Sequence, residues 1–91
     1  MKPYQLEIPD PVRRQIRQVR PDRMRAEVVD AILALPDEPY PPGSQLQDEL
    51  RRRYRLRING WRIIYKVDDE DRKITVLTVR HRNRRTYLNV P

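Results

Sequence analysis

Two spacings of apolar residues divide the chain. Tyr4, Leu6 and Ile8 alternate with Gln5 and Glu7, the period of a short strand with one face buried. From Val12 the interval lengthens: Val12, Ile16 and Val19 recur at helical spacing, and Met24, Val28, Ala31, Ile32 and Leu35 form a second such stripe. Asp10-Pro11 supplies a helix start, with aspartate as N-cap and proline in the first turn. Arg20-Pro21 breaks the first helical run and Pro36 closes the second. Helices are therefore predicted over residues 10 to about 19 and 21–35, as a hairpin laid against a sheet.

Residues 36–44, PDEPYPPGS, hold four prolines and one glycine and read as a loop. Ser44 followed by Gln47 predicts one short helical turn toward Leu50. Strand alternation then returns. Tyr54, Leu56 and Ile58 interleave with Arg53, Arg55 and Arg57, giving one apolar and one basic face. Asn59-Gly60 marks a two-residue hairpin turn, since both residues tolerate positive φ. A second strand runs from Trp61 to about Val67, an acidic turn spans Asp68 to Asp71, and a third strand runs from Lys73 to about Arg80. Thr86-Tyr87-Leu88 forms a last short strand or an ordered extension. The order β-α-α-β-β-β defines an α+β fold, two N-terminal helices packed on a mainly antiparallel twisted sheet, as one domain over residues 1–91.

Composition narrows the chemistry. The chain has no phenylalanine, so its core draws on Leu, Ile, Val, Tyr and the single tryptophan, Trp61. It has no cysteine and one histidine, which removes disulfides and the usual thiolate or imidazole metal sites. Gly43 and Gly60 are its only glycines, too few for a phosphate-cradling loop. Asp68, Asp69, Glu70 and Asp71 stand consecutively on a turn, where carboxylates splay apart instead of converging on one cation, and read as a solvated turn. No metal or other cofactor is expected. The opening MKPYQLEIPD lacks a signal peptide's apolar core, and no apolar run nears the ~20 residues that span a bilayer. The expected location is the cytoplasm, away from membranes.

The formal charge of +7 is unevenly placed. Residues from Arg51 onward carry thirteen Lys or Arg against four acids; those before it carry seven against nine. Tyr54, Trp61, Tyr65 and Tyr87 are threaded through the basic half. Such a half-domain is the electrostatic footprint of a nucleic-acid partner. Arg53, Arg55 and Arg57 stand at steps of about 7 Å on one strand face, close to the phosphate spacing of a single strand. The same pattern also serves to guard an edge strand against aggregation. Arg62 shares strand parity with Ile64, which lets its stem lean over the sheet and its head enter a concavity; a cation–π contact with Trp61 or an ion pair with the first half is the alternative. His81 lies among Arg80, Arg82, Arg84 and Arg85, whose charge favours a neutral imidazole suited to proton transfer. A plain surface or core histidine beside a nonspecific basic tail reads equally from the residues. Tyr87 stacks on a base, accepts a proton, or plugs the edge of the helix layer.

Residues 54–90, YRLRINGWRIIYKVDDEDRKITVLTVRHRNRRTYLNV, resemble the RelE/ParE superfamily of toxins from bacterial type II toxin–antitoxin systems. The likeness lies in a basic strand, a glycine turn, an aromatic-Arg-hydrophobic-hydrophobic-Tyr strand, an acidic turn and a strand ending in a basic cluster. The two upstream helices and the Pro-Pro-Gly-Ser loop fit the same layout. The RelE branch implies a metal-independent endoribonuclease that cuts mRNA in the ribosomal A site, the ribose 2′-OH attacking the adjacent phosphate. By position, Arg55 and Arg57 match the family's basic strand pair, where the best-studied ribosome-dependent members carry lysines. Arg62 matches the phosphate clamp, Arg82 the arginine beside the leaving oxygen, and Tyr87, with a one-residue deletion, the tail base. Arg53, Arg84 and Arg85 extend the phosphate contacts, and His81 is the alternative proton carrier. The expected partners are the ribosome, mRNA and a cognate antitoxin laid as a helix or strand over the apolar and basic face. Two rivals share this fold or charge: a ParE-like inhibitor of DNA gyrase that acts by binding, and a nucleic-acid-binding module without catalysis.

Overall fold

The computed structural model describes residues 3–81. The alternating start forms a three-residue strand, β1 (Gln5–Glu7). Pro9, one residue earlier than expected, takes the N-cap position of α1 (Asp10–Arg17), and its carbonyl accepts from the Val12 and Arg13 amides at 2.9 and 3.0 Å. Asp10 falls instead in the first turn, where its carboxylate meets the positive end of the helix dipole. Pro21 caps α2 (Asp22–Ala34) in the same way, accepting from Met24 and Arg25. Among the described residues no helix is long and apolar enough to cross a membrane.

The short turn expected after Ser44 is a strand, β2 (Gln45–Asp48), paired antiparallel with β3 (Arg53–Ile58). Gln-Leu-Gln-Asp has little strand propensity of its own; the pairing partner decides its conformation. β3 turns into β4 (Trp61–Asp68) through Asn59 and Gly60, whose φ angles of 46° and 88° are those of a type I′ turn. The Asn59 amide donates to Glu27 of α2 at 2.7 Å and so ties the turn to the helix layer. β5 (Lys73–His81) completes a five-stranded sheet in the order β1-β5-β4-β3-β2, in which β1 alone runs parallel to its neighbour. Lys73 and Glu7 form an ion pair of 2.8 Å across that parallel seam.

Both helices lie on one face of the sheet. Val12, Val19, Val28, Ile32 and Leu35 meet Leu56, Ile63, Tyr65, Val67, Ile74, Val76 and Val79 in a single core. Tyr65 is its largest fully buried side chain. Its ring stacks on Tyr54, centroids 5.9 Å apart, and Tyr54 meets Tyr40 edge-on at 4.9 Å. The Tyr65 hydroxyl donates to the Pro39 carbonyl at 2.8 Å, which pins the proline loop to the sheet. Burial raises this phenol's pKa, so it stays a neutral donor.

The acidic turn between β4 and β5 is exposed, but one of its carboxylates is engaged. Asp69 accepts hydrogen bonds from Tyr4 at 2.6 Å and Tyr40 at 3.0 Å, and Arg72 lies over the Tyr4 ring at 4.4 Å. The Tyr4 hydroxyl, with Tyr40 adding to it, holds the Asp69 carboxyl below its ordinary value. Conversely the bond to Asp69 raises Tyr4, and burial followed by the same acid raises Tyr40. A carboxylate with a lowered folded pKa adds stability that is present above its ordinary 3.8 and is lost as pH falls through the folded value. Phenols with raised values add stability that is present below 10.0 and is lost as pH rises through theirs. Thermal midpoints of Asp69→Ala are expected a few degrees below wild type near neutrality, with the gap narrowing below about pH 4 and above about pH 10.

Candidate nucleic-acid interface

Among the described residues no helix lies on the other face of the sheet, and strand register determines what stands there. Arg57 is opposite Arg62, Arg55 opposite Ile64, and Arg53 opposite Lys66. On its other side Arg62 is opposite Arg80, and Ile64 opposite Thr78. Adjacent strands lie about 4.8 Å apart. Arg57, Arg62 and Arg80 therefore form a row of three guanidinium-bearing positions across β3, β4 and β5, with Arg55, Arg53 and Lys66 in the rows behind.

Arg80 reaches this face because β5 is bulged. Between Ile64 and Tyr65 of β4 the partners jump from Thr78 to Val76, so Leu77 is an extra residue. Simple alternation from Ile74 and Val76 would place Arg80 with the core. The bulge inverts that parity, so Val79 joins the core and Arg80 the basic face. Sequence reasoning did not single out Arg80 or Lys66. The spacing of buried residues, 74, 76 and then 79, is the signal that finds Arg80.

Arg55 donates through Nη2 to its neighbour across the strands, Gln45 Oε1. Arg53 Nε is buried with no hydrogen-bond partner among the described residues. Ion pairs stand on Arg20, Arg25, Arg51 and Lys73, away from this row. Arg62 is half-buried and, among the described residues, makes neither a cation–π contact with Trp61 nor an ion pair with the first half, the alternatives its position left open. Guanidinium-bearing positions abreast on three strands, with Arg62 half-buried and Arg57 and Arg80 exposed, suit an anion with several oxygens.

His81 is not part of that array. It pairs in register with Trp61, on the parity of Val79, and its ring meets the indole edge-on with centroids 4.9 Å apart. Its Nε2 lies 3.5 Å from where a Cβ on Gly60 would be, so it packs over the hairpin turn. Arg82, Arg84, Arg85 and Tyr87 lie outside the described residues. Among those described, no His, Cys, Asp or Glu residues cluster as metal donors.

Two helices over one face of a five-stranded sheet, with arginines on the other, define a RelE-like α+β protein. The family described as the ParE toxin of type II toxin–antitoxin systems matches residues 6–86. Toxin RelG of Mycobacterium tuberculosis is 31% identical over 80 residues, 88% of this chain and 92% of that one. The toxin–antitoxin complex RelBE2 of the same organism contains a chain 30% identical, with a TM-score of 0.72 over 88% of this chain and 99% of that chain. The archaeal RelE–RelB complex from Pyrococcus horikoshii, at 23% identity, matches in fold with a TM-score of 0.78 over 89% of this chain and 97% of that one. The chain thus belongs to the RelE/ParE superfamily of type II toxin–antitoxin toxins.

Proposed function

We propose that this protein is a ribosome-dependent mRNA endoribonuclease, a translation inhibitor of the RelE kind. The arginine row across three strands carries the reading. An in-line attack by the ribose 2′-OH forms a bond to the adjacent phosphorus and breaks its bond to the 5′-oxygen. Charge builds on the phosphoryl oxygens midway, and that charge is what preorganised cations stabilise. Arg57 and Arg62, opposite one another in register with Arg55 one row behind, would hold those oxygens. Arginines bind phosphate well but donate protons poorly at neutral pH, so two protons need other carriers. His81 faces Trp61, which favours Tyr87 as base, with Arg82 beside the leaving oxygen. Arg53, Arg84 and Arg85 extend the grip on the strand.

A cognate antitoxin is the second expected partner, as the related toxins were solved in complex with theirs. Acidic residues of the antitoxin would neutralise the arginine row. A ParE-like gyrase inhibitor is the other reading, favoured by the family description that matches the chain.

Primer extension on an mRNA bound to programmed ribosomes, with free mRNA in parallel, separates them. Cuts on ribosome-bound mRNA that are absent from free mRNA, the latter assayed in EDTA, support the ribosome-dependent nuclease. Growth arrest without cuts, together with loss of gyrase supercoiling, supports the ParE-like reading.

A further inference from the structure

On the helix side of the sheet, around the open edge of β5 from the arginine row, lies a groove of about 460 Å³, lined by Gln15, Gln18, Trp61, Val79, Arg80 and His81. Its size falls within the range of small-molecule sites. The groove exists because β1 covers the outer edge of β5 only at residues 73–75, leaving the rest of that edge to α1. Gln15 fills part of the gap, its Oε1 accepting from the Val79 amide at 2.7 Å and from Thr78 Oγ1 at 3.3 Å. That engages the carbonyl oxygen and leaves the amide N–H groups of Gln15 as its donors. Gln18 adds a second, exposed amide, and the edge-to-face Trp61–His81 pair forms the aromatic wall. Arg80 belongs both to this groove and to the phosphate row.

We propose that this groove receives a single nucleobase of the strand whose phosphates lie on Arg57, Arg62 and Arg80. The inference rests on the RNA-binding reading above. Each part answers to one feature of a nucleotide. An aromatic wall takes the ring face. Carboxamides carry a donor and an acceptor side by side, the pattern that pairs with a base edge. The shared arginine takes the connecting phosphate. His81 thereby serves recognition, as the wall on which the base rests.

Trp61 is the only tryptophan, so its emission reports on the groove directly. The test uses the full chain with two probes: a 2′-O-methyl RNA hexamer, which cannot be cut, and an abasic hexamer with the same phosphates. Both are expected to bind at low salt, with only the base-bearing strand shifting Trp61 emission. Gln18→Ala is expected to weaken the base-bearing strand about two- to tenfold, the worth of one neutral hydrogen bond, and to leave the abasic strand unchanged. His81→Ala is expected to weaken it by about fivefold or more, the worth of a stacked base. Binding of the hexamer without a base-dependent change in Trp61, or equal weakening of both strands in Gln18→Ala, overturns the base groove and leaves RNA binding intact. An emission shift with an acidic peptide alone reassigns the groove to a protein. Failure of both strands to bind overturns the base groove, and the primer-extension result on ribosomes then decides the RNA reading separately.

Discussion

Arg62→Ala is expected to lower the rate of mRNA cleavage on ribosomes by about a hundred- to a thousandfold while leaving the protein at least as stable as wild type. The first half follows from electrostatics: removing one preorganised donor to developing charge costs a factor of that order. The second follows from register. Arg62 stands between Arg57 and Arg80 on adjacent strands, and like charges directly opposite one another oppose folding by about 0.2–1 kcal/mol per pair. The variant removes that repulsion and no core contact. A thermal melt in low salt alongside the cleavage assay checks both halves. Lost activity with an unchanged or raised midpoint assigns Arg62 to phosphate, whereas a fallen midpoint makes it a structural residue. The stability gain should vanish in about 1 M salt, where screening acts within ~3 Å.

Tyr65→Ala is the opposite case, expected to destroy the fold and activity together. Tyr65 is fully buried at the centre of the sheet, and removing an aromatic ring from such a position costs about 3–5 kcal/mol. A small domain has about 5–15 kcal/mol in total, so little folded protein should remain at 37 °C. Tyr65→Phe keeps the ring and removes only the bond to Pro39, a loss of about 1 kcal/mol. Urea unfolding followed by circular dichroism separates the two. A Phe variant as unstable as the Ala variant would show that the proline loop, and not the ring, holds this part of the core.

These two residues also show where the sequence was legible. The hairpin from Arg53 to Val67 could be read almost residue by residue, because alternation and an Asn-Gly turn are local signals. Arg55, Arg57 and Arg62 fell on the face opposite the helices for the same reason. β2 was not legible, since its conformation comes from β3, across a loop and a bulge. Arg80 was hidden by the extra residue at Leu77, which changes parity without a glycine or proline to mark it. His81 looked like part of the arginine cluster because it is adjacent to Arg80 in sequence. Adjacent residues of a strand point to opposite faces, so sequence proximity there means spatial separation.

The strand order has a consequence for how the molecule comes into being. β5 is the last described strand along the chain, yet it lies inside the sheet between β1 and β4, and Gln5 must find Lys73 across nearly the whole described length. Pairings that distant are slow to form, because loop closure precedes any compensating contact. Ile74, Val76 and Val79 are missing from the core until then. A nascent chain that has not yet released β5 from the ribosome thus has neither a closed core nor its third arginine, and maturation becomes a late, all-or-none event. During that interval the apolar side of the unfinished sheet is open to capture by another polypeptide before the basic side is fully assembled.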